Sequence, residues 1–300
     1  MSLSPKRVLI LGGTGMLGSM LWSRLSPVSG LRVRRSQRRD KAGEGYFDAQ
    51  GPEAGLERLL AEAGGTDFVV NALGLTKPEI KEGDTASEAA AWAVNAVLPQ
   101  RLASAAARAK VRVIHISTDG VFSGMAGPYD ELAAPDPLDL YGRSKLGGEV
   151  RDSRVLIVRC SVVGPDPDKG RGLFEWFRGL GDAGRARGFT DQLWNGVTTL
   201  QFAELCREII ERDAFDGLTA TAPVRHFCPN PAVSKYDLLM AFSDALGGRT
   251  KVDPAVSGLA VNRVLNSRWP DLNALVGGKS DIRGAVAVML RAEPALKAYR

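Results

Sequence analysis

Seven residues, Gly12-Gly13-Thr14-Gly15-Met16-Leu17-Gly18, constrain this chain most because of what flanks them. A short apolar run, Lys6 to Leu11, precedes them, and the helical pattern Ser19 to Leu25 follows. Strand, glycine turn and helix in that order form a βα unit whose helix N-terminal N–H groups face an anion. Gly12 permits the tight turn, Gly15 lets backbone approach a pyrophosphate, and Gly18 allows close helix packing. Gly12, Thr14, Gly15, Met16, Leu17 and Gly18 are therefore candidate cofactor contacts, on a GxxGxxG rather than a GxGxxG spacing. The stretch from Lys6 to Trp22 has the outline of a signal peptide, but glycines and a threonine interrupt it and no A-x-A-like site follows closely. A cytoplasmic protein is expected. No uninterrupted apolar run approaches the ~18 residues of a membrane span.

Strand and helix patterns continue to alternate. A second strand is expected near Leu31 to Val33, a short third at Tyr46-Phe47-Asp48 and a fourth from Asp67 to Asn71. Helical patterns fill Pro52 to Ala63 and Ala86 to Ala109, the latter with Pro99 as a kink or a break. This alternation predicts an α/β fold with a doubly wound parallel sheet. Asp48, closing the third strand, and the small residues Ala72 and Gly74, after the fourth, are further candidate cofactor contacts. Asn95 is either a local back-bonder or a functional amide.

Arg32, Arg34, Arg35, Arg38, Arg39 and Lys41 follow the second strand, with no acidic residue before Asp40. The end of that strand meets the adenosine ribose in a Rossmann unit, where arginine suits a 2′-phosphate and a carboxylate suits a 2′-hydroxyl. NADP(H) is the preferred cofactor, with Arg35 and Arg38 as best candidates and NAD(H) as the alternative. One short cluster in a chain of net charge +5 does not indicate nucleic-acid binding.

Ser117-Thr118-Asp119-Gly120-Val121-Phe122 ends an alternating segment, Val111 to Ser117, that reads as a strand. Ligands bind where parallel strands end. Tyr141 and Lys145 follow, four residues apart and so on one helical face. A cation beside a phenol favours phenolate, so Lys145 is expected to lower the Tyr141 pKa from its usual ~10 and fit it to protonate a carbonyl oxygen.

Together these segments resemble the dTDP-4-dehydrorhamnose reductase family of extended short-chain dehydrogenase/reductases. The glycine loop ending Gly-Met-Leu-Gly, the Asn71-Ala-x-Gly74 segment, Ser117 to Gly124, Pro128-Tyr129, Pro135-x-Pro137-Leu138, Tyr141 to Lys145 and Gly148-Glu149 carry the resemblance over about residues 6 to 165. It implies a catalytic set of Thr118, Tyr141 and Lys145, hydride from NADPH, a nucleotide-linked 4-keto-6-deoxy sugar as substrate, and a functional Asn95. Thr118, Asp119, Val121 and Phe122 are then candidate substrate contacts. Gly120 stands where such reductases usually carry tyrosine, and Val197 replaces the proline of the segment Asp191 to Thr198. The same set serves epimerases and dehydratases with tightly bound NAD. The methionine adenosyltransferase β subunit, a regulatory binding partner, is also similar.

Past Pro165, prolines, glycines and the basic stretch Gly179 to Gly188 mark a change of character. The resemblance implies a dinucleotide-binding domain over 1–165, with about 189–222 returning to it, and a smaller substrate-binding domain from about 166–188 and 223–300. Thr199 to Arg212 is amphipathic, Gly217 to Ala222 with Phe227-Cys228 suggests strands, and Ser234 N-caps a helix to about Leu246. Trp194 and Arg263 are candidates to stack on a base and bind a diphosphate, or else serve core packing and a surface ion pair. Cys160, Cys206 and Cys228 with His115 and His226 form neither a disulfide framework nor a metal motif, so no metal is expected. A homodimer is open.

Overall fold

The computed structural model describes residues 4–38, 40–41 and 43–297, so Arg39 of the expected basic cluster lies outside the described residues. The first strand, β1 (Lys6–Leu11), alternates its side chains between two cores, with Val8 and Ile10 on one face and Leu9 and Leu11 on the other. A strand apolar on both faces must be covered on both, which is the condition for a parallel, doubly wound sheet. After β1 come α1 (Met16–Leu25), β2 (Leu31–Arg35), α2 (Glu53–Ala61), β3 (Phe68–Asn71), α3 (Thr85–Trp92), α4 (Leu98–Ala109), β4 (Arg112–Ser117), α5 (Leu140–Gly147) and β5 (Val155–Arg159).

Then follow β6 (Val162–Val163), α6 (Leu173–Gly179), β7 (Arg185–Phe189), β8 (Gln192–Trp194), β9 (Val197–Thr198), α7 (Thr199–Glu211), α8 (Phe215–Thr221) and β10 (Val224–His226). The chain ends with β11 (Val233–Ser234), α9 (Lys235–Ala245), β12 (Lys251–Ala255), β13 (Val261–Asn262), α10 (Asp271–Leu275) and α11 (Ile282–Lys297). The main sheet runs β10-β5-β4-β3-β1-β2, all parallel. Order reverses at β1, which has β2 on one side and β3 on the other, so the crevice above its C-terminal end is the topological switch point. Helices α1 and α7 cover one face, through residues such as Met20, Leu21, Phe202 and Ile209, while α2 and α4 cover the other through Leu56, Leu59, Leu98 and Leu102.

A separate cluster of Phe174, Phe177, Trp194, Leu238 and Phe242 forms the core beside the short pairs β7–β12 and β11–β8–β13. Phe174 and Phe242 meet edge to face at 5.1 Å. The segment that returns to the main sheet extends to His226, four residues past the expected 222, because Val224 to His226 pairs with Ile157 to Arg159.

Three expectations of local structure change. Tyr46 forms only an isolated bridge to Gln37, so Tyr46-Phe47-Asp48 is not a strand and Phe68–Asn71 is the third. Gly217 to Ala222 lies largely in α8 rather than a strand. Its Gly and Thr content disfavours helix locally, but Leu218 is buried and Phe215 packs edge-on against Phe68 at 6.1 Å. The long helix expected from Ala86 to Ala109 is interrupted by a π-turn, Ala93–Val97, in which Leu98 N–H reaches the Ala93 carbonyl. Pro99 has no N–H for the Asn95 carbonyl, and a wide turn just before it accommodates that loss.

Candidate active site

The cradle is built from missing side chains. Gly12 has φ of +79°, in the left-handed region, and a Cβ there would stand 3.0 Å from Leu73 Cδ2. At Gly13 a Cβ would lie 2.4 Å from Arg35 Cβ, and at Gly18 it would sit 2.0 Å from the Gly12 carbonyl oxygen. Glycine is thus required at Gly18 by helix-on-turn contact. Gly15 is the N-cap of α1 and makes no side-chain cap, so the first-turn N–H groups of Met16 and Leu17 stay open to an anion. Ser36, at the end of β2, accepts from Gly12 N at 2.9 Å and fixes the turn.

Contacts run unbroken from this cradle to the reactive corner. Arg35 lies over the Trp22 ring at 4.8 Å and beside Gly13, while Arg38 is exposed and Arg34 is committed to Glu62, Thr66 and the Leu59 carbonyl. Of the three, Arg35 holds the cradle-side position. At the other end, a Cβ on Gly74 would stand 3.9 Å from Lys145 Nζ and 3.4 Å from Asn95 Oδ1. Ala72 N donates to Leu11 O at 3.1 Å, tying β3's exit to β1. Asp48 is exposed and accepts from Gln50 N at 3.1 Å, closing its own turn.

Asn95 is buried and fully engaged. Its Oδ1 accepts from Leu75 N at 2.9 Å, and its Nδ2 donates to Leu75 O at 2.9 Å and to Ser144 Oγ at 3.1 Å. It therefore positions the Leu75 backbone and α5 instead of offering its amide to a cofactor. The π-turn seats α5 closely, since a Cβ on Gly148 would stand 2.1 Å from the Asn95 carbonyl oxygen.

Thr118 caps the turn Asp119–Val121, accepting from Gly120 N at 3.0 Å and donating to Asp119 Oδ1 at 3.2 Å. Asp139 caps α5 by accepting from Gly142 N at 2.8 Å, and a Cβ on Gly142 would lie 2.2 Å from Gly120 O, so helix and turn meet backbone to backbone. That contact puts the Tyr141 ring beside Thr118: one Cβ placed on Gly120 would be 3.3 Å from both Thr118 Oγ1 and Tyr141 Cε1. Lys145 is buried and donates to the Ile116 carbonyl at 2.7 Å.

Electrostatics here differ from the sequence expectation. Burial pushes the Tyr141 phenol up to about 12, against a lowering from the Thr118 hydroxyl, with Asp119, Cys160 and Asp139 adding to the rise. Lys145 does not acidify it in this arrangement, because its ammonium is turned to the β4 backbone. Burial lowers Lys145 itself to about 8, with Glu149 opposing. Burial also raises Asp119, opposed by Lys235 and Arg263. His115 is held well below its ordinary value by burial and by Lys145, and so is neutral, 3.1 Å from Asn71 Nδ2.

Several expected substrate contacts fall elsewhere. Val121 and Phe122 are fully buried, Phe122 stacked on Tyr129 at 4.2 Å, so their side chains are core. Trp194 is also buried, its ring against Gly196 and under Lys235 Nζ at 4.8 Å, and cannot stack on a base. Arg263 holds the Phe122 and Ser123 carbonyls at 3.0 and 3.4 Å and borders Asp119. Unanticipated residues are Lys235, which faces Asp119, and Glu149, which accepts from Ser117 Oγ at 2.6 Å and pairs with Arg159 at 2.6 Å, both carboxylate and guanidinium buried. Glu149 stands four residues after Lys145 and within the Gly148-Glu149 pair that carries the resemblance, but neither signal gives it a role. Among the described residues no group of His, Cys, Asp or Glu could hold a metal ion, and no helix is long and apolar enough to cross a membrane.

The family model described as RmlD substrate binding domain matches residues 6–264. A dTDP-4-dehydrorhamnose reductase of Mycobacterium tuberculosis is 36% identical over 149 residues, 48% of this chain and 44% of its own length. The match thus spans less than half of that relative. Methionine adenosyltransferase 2 subunit beta of Xenopus tropicalis is 24% identical over 249 residues, 80% of this chain and 72% of its own. The crystal structure of dTDP-4-dehydrorhamnose reductase from Bacillus anthracis in complex with NADP superposes with a TM-score of 0.77 at 19% identity, covering 97% of this chain and 99% of that one. At that identity the likeness shows the fold.

Proposed function

The chain belongs to the RmlD substrate binding domain family, and on that premise we propose that it is an NADPH-dependent reductase of a nucleotide-linked 4-keto-6-deoxy sugar, acting in deoxysugar biosynthesis in the cytoplasm. The observation that carries this reading is the line Arg35, Gly13, Gly12, Leu73, Gly74, Lys145, the last one helical turn after Tyr141 on α5, with the Tyr141 ring beside Thr118. We assign residues up to 165 and the returning segment to the dinucleotide-binding part and the remainder to the substrate-binding part, and hold a homodimer open.

The cradle fits a dinucleotide: uncapped N–H groups at α1 would take the pyrophosphate, and Arg35, braced on Trp22, would take a 2′-phosphate. When bound, reduced nicotinamide would supply the hydride for the carbonyl carbon. Thr118 and Tyr141 hold the carbonyl oxygen by hydrogen bonds. With its pKa near 12, the phenol is fully protonated at neutral pH, so it is a donor, and its proton passes to oxygen as negative charge develops there. The Thr118 hydroxyl, which already opposes the rise in the Tyr141 pKa, stabilises the phenolate left behind, and Lys145, still mostly an ammonium at pH 7, would hold the nicotinamide ribose.

The test is NADPH consumption, with NADH in parallel, against nucleotide 4-keto-6-deoxyhexoses made in situ. Turnover with one of them supports the reductase and names sugar and cofactor. Conversion of a nucleotide sugar without net consumption would replace it with an epimerase or dehydratase. The Xenopus relative, matched along 80% of this chain, favours a second reading as a binding subunit. Dinucleotide binding with no turnover of any kind would support that one.

A further inference from the structure

Two loops approach the dinucleotide path from opposite sides. One continues from Gly74 and Leu75 through Thr76 to Asp84. It is anchored on the catalytic side, where Lys77 pairs with Asp139 at 2.8 Å and Glu82 accepts from Leu140 N at 2.9 Å. The other, 166–172, is shaped by the buried Asp166 carboxylate, which accepts from the backbone N–H groups of Asp168, Lys169 and Arg171, each at 3.3 Å. It ends against the cradle, where a Cβ on Gly172 would stand 3.9 Å from Met16 Sδ. Each loop is braced within its own side of the crevice.

Glu79 joins them. Its carboxylate accepts from Arg171, lies 3.7 Å from Lys169 Nζ, and is held in place by Thr76 N and Thr76 Oγ1, both at 3.0 Å. The Glu79 side chain is 17% exposed against 52% for Arg171, so the acid is the fixed half and the arginine the movable half. We propose that Glu79 and Arg171 form a clasp over the dinucleotide path, with Glu79 a positioning residue that retains the bound dinucleotide between the cradle and Lys145. This rests on the reading of that path as the dinucleotide site. Opening the clasp releases the second loop from the first without disturbing the contacts that fix either one.

The experiment measures NADPH release from the full chain by stopped-flow fluorescence, with excess NADP⁺ to trap the freed site. Glu79→Gln and Arg171→Gln should each speed release about fivefold, the ~1 kcal/mol of a partly exposed ion pair at 1.4 kcal/mol per tenfold. The double variant should be no faster than Glu79→Gln alone. Salt should accelerate release more from the unaltered protein than from Glu79→Gln. Unchanged release in the single variants, or additive effects in the double, would overturn the clasp while leaving the dinucleotide site intact. Failure of the unaltered protein to bind either NADPH or NADH would overturn both.

Discussion

The cradle and the reactive corner are made by opposite means. At Gly12, Gly13 and Gly18 the chain leaves side chains out: backbone closes on backbone at Gly18, and Leu73 and Arg35 side chains take the space a Cβ would need at Gly12 and Gly13. At Thr118, Tyr141 and Lys145 side chains are packed in, each buried or half-buried and each tied to a cap, a carbonyl or a hydroxyl. A cradle of this kind fails by steric insertion and loses binding. A corner of this kind fails by deletion and loses chemistry.

Tyr141→Phe gives the largest separation of the two. Turnover should fall ~10²–10⁴-fold while NADPH affinity, measured by fluorescence titration, stays near that of the unaltered protein. A matching fall in affinity would mean that the corner also holds the cofactor. Glu149→Ala should cost about 3–5 kcal/mol of stability in denaturant unfolding, because it leaves the buried Arg159 charge without its carboxylate. A loss under ~1 kcal/mol would show that the corner does not depend on that pair.

Gly18→Ala inserts a Cβ against the Gly12 carbonyl and should weaken NADPH and NADH binding together, by about 5- to 150-fold for ~1–3 kcal/mol of overpacking. Unaltered affinity would remove the close turn from the binding account. Arg35→Ala should weaken NADPH about tenfold and spare NADH, the loss of a charge-assisted hydrogen bond. Equal losses would assign Arg35 to packing on Trp22 alone.

The smallest effect concerns pH. Lys145 must carry its proton to act, and burial sets its pKa at about 8, so kcat/KM should fall as pH rises through about 8. Lys235 is also lowered to about 8 by burial, and a limb that persists in Lys235→Gln assigns it to Lys145. Stability moves the other way. Unfolded lysine titrates near ~10.4, so between about 8 and that value the unfolded chain binds more protons and these lysines favour the fold increasingly as pH rises. Melting curves alongside rates would reveal the opposed slopes.

These differences also explain what could be read from sequence. The glycine loop was legible because its constraint is local, and Ser234 as the N-cap of α9 was legible for the same reason: hydroxyl, turn and Asp237 lie within four residues. Thr118, Tyr141 and Lys145 were legible as a spacing, though the direction of the Lys145 ammonium was not, since Ile116 is brought to it by the sheet. Trp194 looked like a stacking platform because an indole suits both a base and a core, and only Gly196 and Lys235, folded onto its faces, decide between them. The strand expected at Tyr46-Phe47-Asp48 and the one expected at Gly217 to Ala222 were misread where short segments lack periodicity and distant packing sets their conformation.

The return of β10 to the edge of β5 has a consequence for how the molecule is made. Between those strands the chain departs to lay down α6 and the short strands of the second core, then comes back through α7 and α8. During synthesis the open edge of β5 therefore waits, with unpaired N–H and C=O groups, until His226 has emerged. A shortened gene ending after β5 would yield a sheet with a raw margin, prone to pair with its neighbours in the cell rather than to remain a free-standing nucleotide-binding module.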